Sequence, residues 1–121
     1  ARAAKSAADE GWQAFSPVRV ESLAAAGRPV FVDFTAAWCV TCQVNKRLVL
    51  NDPDVIAAFG RRNVALVRAD WTRRDPEITQ ALAALGRNGV PVYVLHRPGK
   101  SPLVLPEVLQ AGMIHDALST L

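Results

Sequence analysis

Trp38-Cys39-Val40-Thr41-Cys42 holds both cysteines of the chain, three positions apart. Two thiols at that spacing, placed where a strand hands over to a helix, can close a short disulfide and reopen it. The residues ahead of them, Pro29-Val30-Phe31-Val32-Asp33-Phe34-Thr35, form an apolar run that reads as a buried strand. The helix that follows presents its positive end to Cys39. That end stabilises the thiolate and lowers the thiol pKa, which makes Cys39 the attacking sulfur. Cys42, one turn further on, is the shielded resolving thiol.

Blander readings of the pair carry less. A structural zinc site needs about four ligands, and the chain offers two cysteines with His96 and His115, neither at finger-like spacing. No metal and no other cofactor is expected. A purely structural disulfide across so short a loop gains little closure entropy. Inert thiols fit poorly with a helix N-terminus, which activates cysteine.

Asp33 adds a second chemical group. A carboxylate inside a strand covered on both faces is costly without a partner or a use. Six residues before Cys39, at about 3.3 Å of rise each, it can lie beneath the cysteine pair. There, burial would raise its pKa and let it exchange a proton with Cys42 as the disulfide forms or breaks. The alternative is a strand-end aspartate satisfied by backbone groups. Gly89-Val90-Pro91 is the third feature, because proline opening a strand forces the residue before it to be extended.

The elements that must position these groups are punctuated plainly. Ser16-Pro17, Asp52-Pro53 and Asp75-Pro76 each pair an N-cap side chain with proline at the first helical position. Gly27, Gly60 and Gly86 stand where helices should stop. Helices are predicted over 17–26, 39–49, 53–59, 76–85 and 111–121. Strands are predicted over 30–35, 64–69, 90–95 and 103–105, with an edge strand at 12–15. Alternation followed by a late hairpin gives an α/β fold, a central mixed sheet flanked by helices on both faces.

Composition agrees with one compact domain. A chain of 121 residues, 50% hydrophobic, buries a core without disulfide staples. Residues 1–10 are small and polar and read as a linker or disordered N-terminal segment, with the domain over 11–121. No apolar run approaches the roughly 20 residues of a membrane span. The net charge is +3 with the arginines scattered, so no basic stripe suits nucleic acid. Charge steering of a partner is expected to be minor, and binding weak and mostly insensitive to salt.

Together these features resemble the thioredoxin superfamily over nearly the whole chain from Trp12. More narrowly, the run from Val32 to Cys42, Ala69-Asp70-Trp71-Thr72, Asp75-Pro76-Glu77-Ile78 and Gly89-Val90-Pro91 resemble the C-terminal periplasmic domain of the DsbD thiol:disulfide interchange proteins. The resemblance implies catalytic Cys39 and Cys42, a buried catalytic Asp33, a cis Pro91, and a substrate-binding surface of Trp38, Val90 and Pro91. It implies a protein-disulfide reductase, the periplasmic domain of a bacterial inner-membrane protein, monomeric when isolated. Electrons would come from the transmembrane domain of the same larger protein and pass to its N-terminal periplasmic domain. Other readings are a periplasmic thioredoxin-like reductase of the cytochrome c maturation or copper-resistance type, and a non-catalytic thioredoxin-like binding domain. The chain departs from the family at Ala37 and Lys46, where acids that adjust the cysteine pKa are common. A lysine one turn beyond Cys42 favours thiolate instead.

Overall fold

The computed structural model describes residues 11–121, so the expected linker at 1–10 lies outside the described residues. In chain order the elements are β1 (Trp12–Ala14), α1 (Pro17–Ala25), β2 (Val30–Thr35), and α2 (Val40–Asn45) with a π-helical continuation (Lys46–Leu50). Then come α3 (Pro53–Arg61), β3 (Ala65–Asp70), α4 (Pro76–Ala84), β4 (Val92–His96), β5 (Leu103–Leu105) and α5 (Ala111–Leu118). The sheet runs β1-β3-β2-β4-β5. The first three strands are parallel, and β4 and β5 are antiparallel to their neighbours. β2 is therefore central and covered on both faces, which is why it reads as a nearly unbroken apolar run.

Capping sets most helix boundaries. The side chains of Ser16, Asp52 and Asp75 accept backbone N–H bonds at the starts of α1, α3 and α4, each followed by proline. Gly27 and Gly86 end α1 and α4 with φ of 79° and 73°, a left-handed conformation that costs glycine nothing. Gly60 differs from expectation. It lies inside α3, whose hydrogen bonding continues to Arg62, and Asn63 takes the left-handed position with φ 53°. Asparagine tolerates that geometry better than most residues, so the stop falls three residues later.

Other boundaries shift too. The cysteine helix starts after Cys39, and its last turns are π-helical, closed by Asn51 N–H to the Lys46 carbonyl at 2.8 Å. β4 begins at Val92, past Pro91, which has no N–H for a ladder. α5 ends at Leu118, three residues before the expected stop, and hydrogen-bonded turns finish the chain.

Alternation along β2 sends Val30, Val32 and Phe34 to one face and Phe31, Asp33 and Thr35 to the other. The first set packs with Val67, Val92 and Val94 under Leu23 of α1 and Ile78 and Leu82 of α4. Phe31 packs with Tyr93 and Leu95 under Val49 and Leu50, Phe59 of α3, and Ile114 of α5. The cysteine helix and Asp33 thus share one side of the sheet.

Candidate active site

β2 ends at Thr35, and Ala36 to Trp38 turn the chain into α2. Cys39 is the N-cap residue, with extended backbone (φ −88°, ψ 106°), and its Sγ accepts the Cys42 N–H at 3.2 Å. Cys39 and Cys42 are joined as a disulfide, with Cα atoms 5.2 Å apart. Cys39 keeps 7% of its surface exposed and Cys42 none. The sulfur an incoming thiol can reach is the one at the helix start. Val90 packs on the cluster of Ala36, Cys39 and Cys42, which sets the cis Val90–Pro91 peptide beside the sulfurs.

Trp38, next to Cys39 in the chain, is half exposed at 49%. Its Nε1–H donates to the Thr72 carbonyl at 3.1 Å, and the Ala37 N–H donates to Thr72 Oγ1 at 2.8 Å. Thr72 is held in turn by Asp70, whose Oδ1 accepts its N–H at 3.0 Å and its hydroxyl. The loop after β3 therefore clamps the entry to α2.

Asp33 is fully buried on the α2 side of the sheet. Its Oδ2 accepts Arg68 Nε–H at 3.0 Å, and Arg68 is itself 8% exposed. This partner is a side chain from β3, its register neighbour. Arg68 also lies 4.0 Å from the centre of the Trp12 ring, a favourable place for a desolvated cation. Across the strand pair from Asp33 stands Tyr93. Burial, and then the Asp33 charge, push the Tyr93 phenol well above its usual range, against the hydrogen bond from Asn45 and the Arg68 charge. Half-buried Lys46 and buried Arg68 line a cavity of about 350 Å³ with Trp12, Thr35, Gln43 and Asp70.

Asn45, buried at the end of α2, ties the site to the far edge of the sheet. Its Nδ2 donates to the Tyr93 hydroxyl and the Glu107 carbonyl, both at 2.8 Å, and its Oδ1 accepts the Leu109 N–H at 3.1 Å. Sequence reading missed Arg68, Thr72 and Asn45. Arg68 carries the signal that exposed Asp33, an ionised residue within an apolar strand. Asn45 carries no local signal, because its partners lie 48 or more residues away, and the local Asp70–Thr72 contact gives no hint of the bonds Thr72 makes to Ala37 and Trp38.

A thioredoxin-like family model matches residues 11–98. The chain belongs to the thioredoxin-like family. Among curated members, DsbD of Ralstonia nicotianae is 45% identical over 75 residues, 62% of this chain and 12% of that protein. DsbD 1 of Pseudomonas aeruginosa is 36% identical over 74 residues, 61% of this chain and 12% of that protein. The chain thus spans 12% of the length of these relatives. Among solved structures, the oxidised C-terminal domain of Neisseria meningitidis DsbD superposes with a TM-score of 0.71 at 24% identity. That match covers 88% of this chain and 96% of that one. The reduced form gives 0.70 at 23%, covering 89% and 98%. At that identity the likeness establishes the thioredoxin-like fold, the α/β architecture read from the sequence.

The family frame gives the departures a location. Ala37 contributes a backbone donor to the Thr72 clamp, and Lys46 opens the π-helical stretch beside the cavity. Among the described residues, no group of three or more His, Cys, Asp or Glu is placed to hold a metal ion. His96 ends β4 half-buried, its pKa lowered by burial, whereas His115 is exposed on α5. No helix among the described residues is long and apolar enough to cross a membrane.

Proposed function

We propose that the chain is a protein-disulfide reductase that relays electrons by dithiol–disulfide exchange, as a periplasmic domain of a bacterial inner-membrane protein. The observation that carries the reading is the Cys39–Cys42 disulfide at the start of α2, one sulfur accessible and one enclosed. In the reduced domain the Cys39 thiolate attacks one sulfur of the partner's disulfide and expels the other as a thiolate. Cys42 then loses its proton and attacks Cys39 Sγ. The second partner thiolate leaves, two electrons have passed to the partner, and this domain holds the disulfide. A donor dithiol reverses the sequence and restores both thiols.

Asp33 is the acceptor of the Cys42 proton in this scheme, held in place by Arg68 beneath the helix. Asp33→Asn should slow exchange near neutral pH. Trp38, Val90 and Pro91 form the contact surface for an extended segment of the partner. By the similarity to DsbD, the donor is the transmembrane domain of the same larger protein and the acceptor its oxidised N-terminal periplasmic domain, each meeting a monomeric domain. Such relay contacts bury less than about 1,200 Å² and release readily.

The test is disulfide trapping. Mixed with that oxidised acceptor, Cys42→Ser should accumulate a covalent complex on a non-reducing gel, and Cys39→Ser should not. Equal trapping by both would reverse the assignment. Absence of insulin reduction by the unaltered domain would favour a binding module instead.

A further inference from the structure

We infer that Arg74 gives the docking face a fixed positive charge, and that this face selects disulfides flanked by acidic residues on the partner. The inference rests on the reductase reading above and adds the chemistry of the partner.

Arg74 lies in the loop between β3 and α4, far in sequence from the cysteines, yet the fold brings it over Trp38. Its guanidinium carbon is 5.2 Å from the centre of the Trp38 ring and 5.1 Å from that of Trp71. Both distances fall within the reach of a cation–π contact. The two indoles are themselves fixed. Trp71 Nε1–H donates to Thr79 Oγ1 at 2.8 Å, Trp38 Nε1–H donates to the Thr72 carbonyl, and the ring centres are 6.0 Å apart. A long, rotamer-rich side chain is thereby held in one place, which reduces the entropy a partner must remove on contact.

The backbone points the same way. Arg74 adopts φ 53°, a left-handed conformation disfavoured for any residue with a Cβ. Strain of that kind at a site is a reason to look for a function of the residue that bears it. Glycine would fit the turn more easily, but it would bring no charge.

The neighbouring carboxylates have other hydrogen-bond partners. Asp70 Oδ1 accepts from Thr72, and Asp75 Oδ1 accepts from the N–H groups of Glu77 and Ile78 at the start of α4. A second exposed cation, Arg47, borders a groove of about 280 Å³ formed with Ala37, Val40 and Val44 on the other side of the α2 entry. The indole face and Val40, 76% exposed, thus each have an arginine beside them. The fold sets cations that the sequence scatters beside Trp38 and Val40, the two residues flanking Cys39. The complement is an extended protein segment with a cysteine at its centre, an apolar side chain for the groove, and Asp or Glu beside the cysteine.

Three peptides, each closed by one disulfide and alike except for Asp, Ser or Lys flanking the cysteines, provide the test. The reduced full chain is mixed with each, and the oxidation rate is followed by tryptophan fluorescence. Each rate is divided by that peptide's rate with 2-mercaptoethanol, which removes intrinsic reactivity. The normalised Asp:Lys ratio should be about tenfold at low ionic strength and approach unity near 0.5 M salt. Arg74→Gln should lower the ratio several-fold and Arg74→Lys should restore part of it. Arg73→Gln, which removes the same net charge, should change it far less. An Asp:Lys ratio near unity in the unaltered chain, or a ratio indifferent to Arg74→Gln, overturns the inference. Failure to reduce any of the three peptides overturns the reductase reading, and this inference with it.

Discussion

Under α1 and α4 the sheet buries Val30, Val32, Phe34, Val67, Val92 and Val94 in an apolar layer. Under α2, α3 and α5 the same strands bury Phe31, Tyr93 and Leu95, but also Asp33 and Arg68, with Asn45 against them from the helix side. The four buried polar or charged residues among those described, Asp33, Thr35, Asn45 and Arg68, all belong to this second layer. Both layers also hold large apolar side chains, so burial of apolar surface alone does not call for the difference. An apolar layer would serve stability as well or better, since buried ion pairs seldom repay their desolvation. The polar layer stands under the helix that carries the disulfide, where the relay proposed above calls for a proton acceptor. One layer is apolar throughout, and the other holds all four buried polar or charged residues among those described.

The largest effect should come from splitting the charged pair. Arg68→Met leaves Asp33 buried without the guanidinium and should cost about 3–5 kcal/mol in urea unfolding. Asp33→Leu combined with Arg68→Met should recover most of that loss. Costs that simply add would show that the pair is not a unit.

On the apolar side, Leu82→Ala should cost about 2–5 kcal/mol through the cavity it leaves. Exchange by the folded fraction should be unchanged. A slowed exchange per folded molecule would blur the separation between the layers.

Asn45→Ala removes the amide that joins Tyr93, Glu107 and Leu109. It should cost about 1–3 kcal/mol, the range for stranding a buried polar partner. A full loss of cooperativity in the melt would assign Asn45 a greater part than its hydrogen bonds account for.

The smallest effect is alkaline. The Tyr93 phenol is raised in the folded state, chiefly by burial and next by Asp33. The unfolded chain therefore ionises first, from about pH 10 upward. The contribution is present below that pH and is lost as the pH rises further. Tyr93→Phe should flatten this part of the stability profile, measured by urea midpoints across pH 8–11. An unchanged alkaline slope would move the cause to another group.

Legibility followed distance along the chain. Cys39 and Cys42 stand out by spacing alone, and Asp33 by its place in an apolar run. Helix starts at Pro17, Pro53 and Pro76 were readable because a cap acts over two or three residues. Gly60 misled because a glycine late in a helix looks like a stop. The buried positions of Val55, Ala58 and Phe59 carry α3 one residue past it. The π-helical stretch after Asn45 had no signal either, since Val49 and Leu50 suit the core equally in an α-helical spacing.

What the sequence determined by itself was local: the strand, the capped helix start, the two thiols one turn apart, and the apolar alternation that demands a two-layered sheet. Those features act through contacts within a few residues and need no knowledge of the rest. Only the tertiary structure decided which distant residues meet. Parallel pairing of β2 with β3 sets Asp33 opposite Arg68, and the loop after β3 carries Thr72 and Arg74 to Trp38. A register shift of one residue would send Arg68 to the other face. The pairing of charge with charge and arginine with indole therefore rests on the burial of β2 and β3 as a whole, a cooperative property that no short segment contains.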